Sequence, residues 1–264
     1  SRDWSSDVCS SDLTDFVPLL RLADLHAASP SMALARLGGA ARLERAYLDY
    51  LIGAKRLADA SMIARTMAGH RRPEDDDRVD DFLNRAIEAD TNGQNMVASV
   101  DVWNRTGRFA PLSPSHGAVL TNALLTSEPR NAGFDWRISS DTSITSHWQP
   151  GELRFAMNNF EVNQRELTAT RERELLAQVL PVERGRYRLY FEYLASPPDA
   201  RPASSGNAFH WTAAGVEGAA LEPSAHWRES TITFQAARRG YCRLALRYRR
   251  APGSAGDGAE IRLR

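Results

Sequence analysis

Several things are scarce in this 264-residue chain, and each scarcity removes a class of protein. Cysteine occurs twice, at Cys9 and Cys242, too few for a disulfide-stapled scaffold or a cysteine-built metal centre. Net charge is absent, with 33 basic against 33 acidic side chains, so there is no basic excess for a broad grip on nucleic acid. No run of about 18 apolar residues occurs, which excludes a transmembrane helix from the fragment. Lysine appears once, at Lys55, beside 32 arginines, a ratio attributed to GC-rich coding and not to phosphate contacts. What remains, 42% apolar and 25% charged, is ordinary globular composition, with length for one large or two ordinary domains.

Residues 1–13 (SRDWSSDVCSSDL) are Ser/Asp-rich and aperiodic, with neither the basic nor the apolar region of a signal peptide. The stretch Asp3 to Leu13 resembles a translated sequencing adapter, so 1–13 is expected to be a non-native artefact that hides the true N-terminus. Cys9 goes with it. Cys242, in an alternating apolar pattern, is then read as a small buried residue.

From 14 to 108 the apolar spacing is helical. Phe16, Leu19, Leu20, Ala23 and Leu25 open it; Leu37, Leu43, Tyr47, Tyr50 and Leu51 follow; Leu57, Ile63, Ala64 and Met67 continue it. Val79, Phe82, Leu83 and Ile87 make another helix, and Met96, Val97, Val100 and Trp103 the next. Asp75, Asp76 and Asp77 are read as a solvated start to the fourth helical stretch, complementing the helix dipole, in preference to a metal site. The windows 48–67 and 83–105 each read helix, polar turn, helix at an offset of roughly 35 to 38 residues, near the period of a tetratricopeptide-type repeat. A non-repeating bundle is the alternative. Residues 109–132, with Pro111, Pro114 and Pro129, are expected to be a linker holding one short helix over Ala118 to Leu125.

Beyond Gly133 the period changes to two. Arg186 to Leu194 and Cys242 to Arg249 are the clearest strands; Phe134–Ser139, Glu152–Met157, Leu175–Val182, Ala208–Ala213, Ser230–Gln235 and Glu260–Arg264 are shorter. Eight strands, each with one apolar face, predict a two-sheet antiparallel β-sandwich of jelly-roll type over 133–264. The fold class is therefore α+β in two domains.

Certain pieces of the second half come in a distinctive order: Gly133 to Trp136 (GFDW), Leu153-Arg154-Phe155, Val182 to Leu189 (V-x-x-G-x-Y-x-L), Gly206 to Trp211 (GNAFHW), Trp227 and the closing arginine-rich strand. This half resembles the C-terminal sandwich of bacterial tetratricopeptide proteins found with exopolysaccharide and O-antigen gene clusters, itself similar to galactose-binding-like carbohydrate-binding modules. The resemblance implies a non-catalytic binding protein of cell-envelope polysaccharide work, at the periplasm or inner-membrane periphery. It brings no catalytic residue and no cofactor, and no calcium-ligand cluster can be located.

Motifs for nucleophile elbows, P-loops, H-E-x-x-H zinc sites and dinucleotide folds are missing. Of His26, His70, His116, His147, His210 and His226, no two have metal-ligand spacing, so no metal is expected. A carboxylate pair assembled only by folding would instead make a polysaccharide-modifying enzyme, and a purely structural assembly subunit is a third option. For glycan binding the candidates are aromatics that can stack on sugar rings and arginines on polar strand faces. Strand parity puts Tyr193, Trp211 and Trp136 in the core and leaves Trp148, Tyr190 and Trp227 exposed. If their strands are neighbours, Arg188, Arg243, Arg247, Arg249 and Arg262 form a cationic ladder with Glu192 beside it, suited to an acidic polysaccharide or a phosphorylated lipid-linked sugar. Residues 133–264 hold 18 arginines and 15 acids, a surplus of three; a solvated sheet face explains the same arginines. The helical repeats would offer a concave surface to a protein partner.

Overall fold

A computed structural model describes residues 17–25, 27, 29–36, 40–157, 171–196, 208–250 and 258–264. The expected artefact at 1–13, with Phe16, Leu37, Gly206 and Cys9, lies outside the described residues. The chain is a mixed α+β protein, and it divides into two compact units, 1–90 with 94–108, and 91–93 with 109–264.

Among the described residues of the first unit six α-helices run in order: α1 (Val17–Leu25), α2 (Pro30–Arg36), α3 (Ala41–Gly53), α4 (Leu57–His70), α5 (Asp76–Ala89) and α6 (Met96–Thr106). Each is amphipathic for the reason α5 shows: Val79, Phe82, Leu83, Ala86 and Ile87 recur at helical spacing and are all buried, while Arg85 and Asp81 pair one turn apart on the wet side at 2.9 Å. α4 packs against α3, α5 and α6, and Tyr47, Leu48, Leu51 and Met67 close the core without exposure. The aspartate triplet differs from its reading as a solvated cap. Asp75 is buried against the Arg45 guanidinium at 2.5 Å, and Asp76 joins Asp80 in clasping Arg108, at 2.7 and 2.6 Å.

The described residues of the second unit form two antiparallel five-stranded sheets. One has the order β1 (Arg137–Ile138), β4 (Arg171–Val182), β9 (Gly240–Arg250), β6 (Ala208–Ala213), β7 (Val216–Glu217). The other runs β2 (Ile144–Gln149), β3 (Glu152–Met157), β10 (Glu260–Leu263), β5 (Gly185–Ser196), β8 (Arg228–Ala236). Their inner faces share one core, in which Phe209, Trp211, Leu244 and Leu246 of the first sheet meet Phe155, Tyr193, Ile232 and Ile261 of the second. In β4 a register shift between Glu174 and Leu176 inserts one residue. It flips the parity, so Glu172 and Glu174 point outward with Arg249 and Arg247 while Leu176 and Leu180 enter the core.

The stretch expected to link the units belongs to the second one, and Ala118 to Leu125 is not a helix. Asn122 and Leu125 stand at φ 46° and 50°, which no α-helix tolerates. Side chains fix this irregular backbone. Trp136 Nε1 donates to Asn122 O (3.1 Å), Trp148 Nε1 to Leu125 O (2.9 Å), and Gln178 Nε2 to Thr121 O (3.0 Å). The strand expected over Phe134–Ser139 shrinks to β1, because Ala132 to Asp135 turn instead. Asp135 is fully buried there, accepting from the amides of Trp136 (2.8 Å) and Arg130 (2.9 Å) and from Asn122 Nδ2 (3.5 Å). Burial pushes its carboxyl up, and those donors oppose the shift.

Asp135→Asn keeps the shape but turns an N–H toward one of these donors. Urea or thermal unfolding of the full chain should show a loss of about 1–3 kcal/mol, the cost of an unmade buried hydrogen bond; unchanged stability would contradict this account of the turn.

Candidate functional site

Registry decides what shares the outer face of the second sheet. Tyr190 lies opposite Thr231, Arg188 opposite Thr233 and Glu192 opposite Glu229. These residues alternate with Leu189, Phe191 and Tyr193, which turn inward, so aromatic and polar groups alternate along β5. β10 pairs with Tyr193–Ser196, and Arg264 and Glu192 exchange backbone hydrogen bonds at 3.2 and 3.4 Å. Past that point no described strand flanks β5 on this side.

A groove of about 970 Å³ opens there. One wall is Leu120, Ala123 and Leu124 of the pinned 118–125 segment with Gly151 of the β2–β3 turn. The other is Tyr190 to Glu192 of β5 with Glu229 to Thr231 of β8, and Arg264 lies between them. Tyr190 is 68% exposed and Leu124 73%, two large apolar surfaces facing solvent in one concavity. Arg188 Nη1 donates to Tyr190 Oη (3.2 Å), and its guanidinium carbon sits 6.0 Å from the ring centre. Arg264 forms an ion pair with Glu192 while its guanidinium carbon lies 4.4 Å from the Trp227 ring centre.

The residues proposed from sequence separate into two groups. Tyr190, Arg188, Glu192 and Trp227 fall together beside the groove. Trp148 does not join them as a stacking surface: it faces inward opposite Leu153, half-buried, and spends its N–H on Leu125. Trp227 is likewise half-buried, with the Arg264 guanidinium over its ring. The single cationic ladder is also corrected. Arg188 and Arg262 belong to the second sheet, whereas Arg243, Arg247 and Arg249 lie on β9 in the first, each matched by an acid. Arg243 pairs with Glu174; Arg247 meets Glu172 at 2.8 Å; Arg249 bridges Glu172 and Glu217 at 3.0 and 2.7 Å. Arg262 is held by Glu260 at 2.8 Å.

His210, which sequence spacing left isolated, joins that network. It is 1% exposed, and its Nε2 lies 2.9 Å from Glu172 Oε1. Glu172, His210 and Glu217 bring ligand-type atoms within 4.8 Å of one another. The carboxylates are nonetheless committed to Arg247 and Arg249, so a cation would have to displace guanidinium partners, and the donor set fits an ion-pair cluster better than a metal. Sequence reasoning missed Arg264, Glu229, Thr231 and Leu124. The first three follow from extending each strand's alternation, and Leu124 was hidden in the stretch read as a helix.

No family model and no curated protein matches the chain. Among solved structures it is similar to one described as "CBM4 structure and function", with TM-score 0.34 and 13% identity over 54% of this chain and 93% of that one.

Burial pushes the Glu172 carboxyl up, but the guanidiniums of Arg247 and Arg249 prevail and hold it below its ordinary value of 4.5. A carboxylate depressed by folding stabilises the protein in full above that ordinary value and loses its contribution as pH falls through the folded one. Glu172→Gln should therefore unfold more readily than the parent at neutral pH, with the gap closing below about pH 4.5 in pH-resolved thermal melts. A gap that does not close would exclude the ion-pair explanation.

Proposed function

We propose that the β-sandwich unit is a non-catalytic glycan-binding module and that the groove beside Tyr190 is its binding surface. One observation carries the reading. A tyrosine ring 68% exposed stands in a groove whose lining supplies hydroxyl, carboxylate and guanidinium groups from Thr231, Glu229 and Arg264, with Arg188 bonded to the tyrosine hydroxyl. Sugar rings pair an apolar C–H face with a circumference of hydroxyls, which matches a flat aromatic surrounded by donors and acceptors. The strand pattern in the sequence, read there as a jelly roll resembling carbohydrate-binding modules, points the same way. The helical unit is read as hairpin repeats offering a surface to a protein partner. In support, α5 begins 35 residues after α3 and α6 begins 39 after α4.

Glu192 and Glu229 favour a second reading, a carboxylate pair acting on a polysaccharide. They are directly opposed across β5 and β8, so their side chains leave neighbouring positions on one sheet face, as a catalytic carboxylate pair requires. Glu192, however, is engaged by Arg264, which leaves it suited to holding a sugar hydroxyl.

Calorimetric titration of the full chain with neutral and uronate oligosaccharides tests both readings. Binding should weaken about tenfold in Tyr190→Ala, the loss of one stacking contact worth about 1.4 kcal/mol. Arg243→Ala, on the other sheet, should bind as the parent does. No affinity for any sugar would sink the glycan reading, and reducing ends released by the parent but not by Glu229→Gln would replace it with the enzymatic one.

A further inference from the structure

We infer that the groove selects acetylated sugars, holding the acetyl group in a slot that leads from it into the sandwich. This rests on the groove's being a glycan site.

The slot continues the groove inward. It shares Leu120, Ala123, Tyr190, Phe191 and Arg264 with it and runs between the sheets to Trp136 and Trp211. Its volume is about 50 Å³. A water needs roughly 10–15 Å³ on the same measure, so a few heavy atoms fit and a pyranose ring does not. The walls are otherwise aliphatic or aromatic, among them Leu176, Leu189 and Phe191.

The two indoles at its inner end differ. Trp136 gives its N–H to Asn122 O. Trp211 is 3% exposed, and its Nε1 is buried without a hydrogen-bond partner. A buried donor with no acceptor is a standing cost that a ligand can remove. A slot lined mainly by carbon, with Arg264 shared with the groove and an unpartnered indole N–H on one of its lining residues, calls for a group of few heavy atoms, mostly apolar, carrying one acceptor. An acetyl group, with a methyl and a carbonyl oxygen, meets each condition. A hydroxyl or hydroxymethyl group would bury a donor of its own among carbon atoms, and a carboxylate would be desolvated away from any cation except Arg264. Sugars carry acetyl groups in two linkages, as N-acetyl and as O-acetyl, and the slot's chemistry serves either.

Matched ligands separate the slot from the groove. Chitotetraose and cellotetraose differ in having acetamido or hydroxyl groups at C2, and acetylated xylo-oligosaccharides can be compared with their saponified forms. Titrated into the full chain, the acetylated member of at least one pair should bind tenfold or more tightly. Trp211→Phe, which keeps the ring and loses the N–H, should cut that preference while sparing the affinity for the unacetylated partner. Ala123→Leu, on an exposed position where groove and slot meet, should also cut that preference without touching the core. Equal affinity within both pairs overturns the inference and leaves the groove a glycan site. Binding of none of the four ligands removes the groove reading as well, and an undiminished preference in both variants would mean that acetyl is recognised outside the slot.

Discussion

Two indole N–H groups hold the irregular 118–125 segment of the second unit in place. Trp136 and Trp148 donate to the carbonyls of Asn122 and Leu125, and so fasten a segment that has no helical or sheet ladder to fix it. That segment carries two residues at positive φ, one of them a leucine, a conformation that costs free energy at each site. The cost is offset by burying Leu125 in the sandwich core and by the hydrogen bonds of Thr121 and Asn122 to their neighbours. Without the clasp, Leu120, Ala123 and Leu124 would not stand opposite Tyr190, and neither groove nor slot would have a second wall.

Much of the sandwich was legible because period two is a strong signal where one face is buried. β3 and β6 match their expected limits to the residue, Tyr193 and Trp211 lie on the buried faces their parity predicts, and Trp136 is buried although it precedes β1 and is not in a strand. β2 was invisible, since its Thr145, His147 and Gln149 face solvent and only Ile144 is buried. The turn at Ala132 to Asp135 was equally hidden. Phe134 and Trp136 alternate as strand residues do, but the buried Asp135 between them collects donors that only a turn can aim at one carboxylate. A helix over 118–125 failed for a related reason: an apolar run of eight residues does not distinguish a helix from a loop whose hydrophobic side chains are needed by a core next to it.

The candidate site was half legible, and the missing half was registry. Parity identified Tyr190 and Arg188 as outward, but no single-strand pattern says which strand lies alongside. The arginines of β9 and those of β5 and β10 have the same alternation and went to different sheets. The bulge in β4 supplied the acids. By turning Glu172 and Glu174 outward against Arg247 and Arg249, it converted what reads as a positive stripe into a balanced lattice. Exposed ion pairs of this kind contribute little to stability one by one, but together they take those charges out of the reckoning for ligand attraction.

That division bears on where a ligand can be recognised. In the first sheet each outward arginine of β9 from Arg243 to Arg249 has its carboxylate, and an incoming acidic group would have to break a pair to gain one. On β5 the balance differs. Among the described residues Arg188 has only the Tyr190 hydroxyl as a hydrogen-bond partner, with Thr231 and Thr233 opposite the two residues. A ligand there would meet donors whose present partners are neutral and exchangeable with water, beside a ring already open to solvent. The same irregularity that cost the sequence reading its helix, a strand neighbour ending beside a pinned loop, provides the concavity. A regular sheet offers a flat row of side chains, and depth arises where the ladder stops.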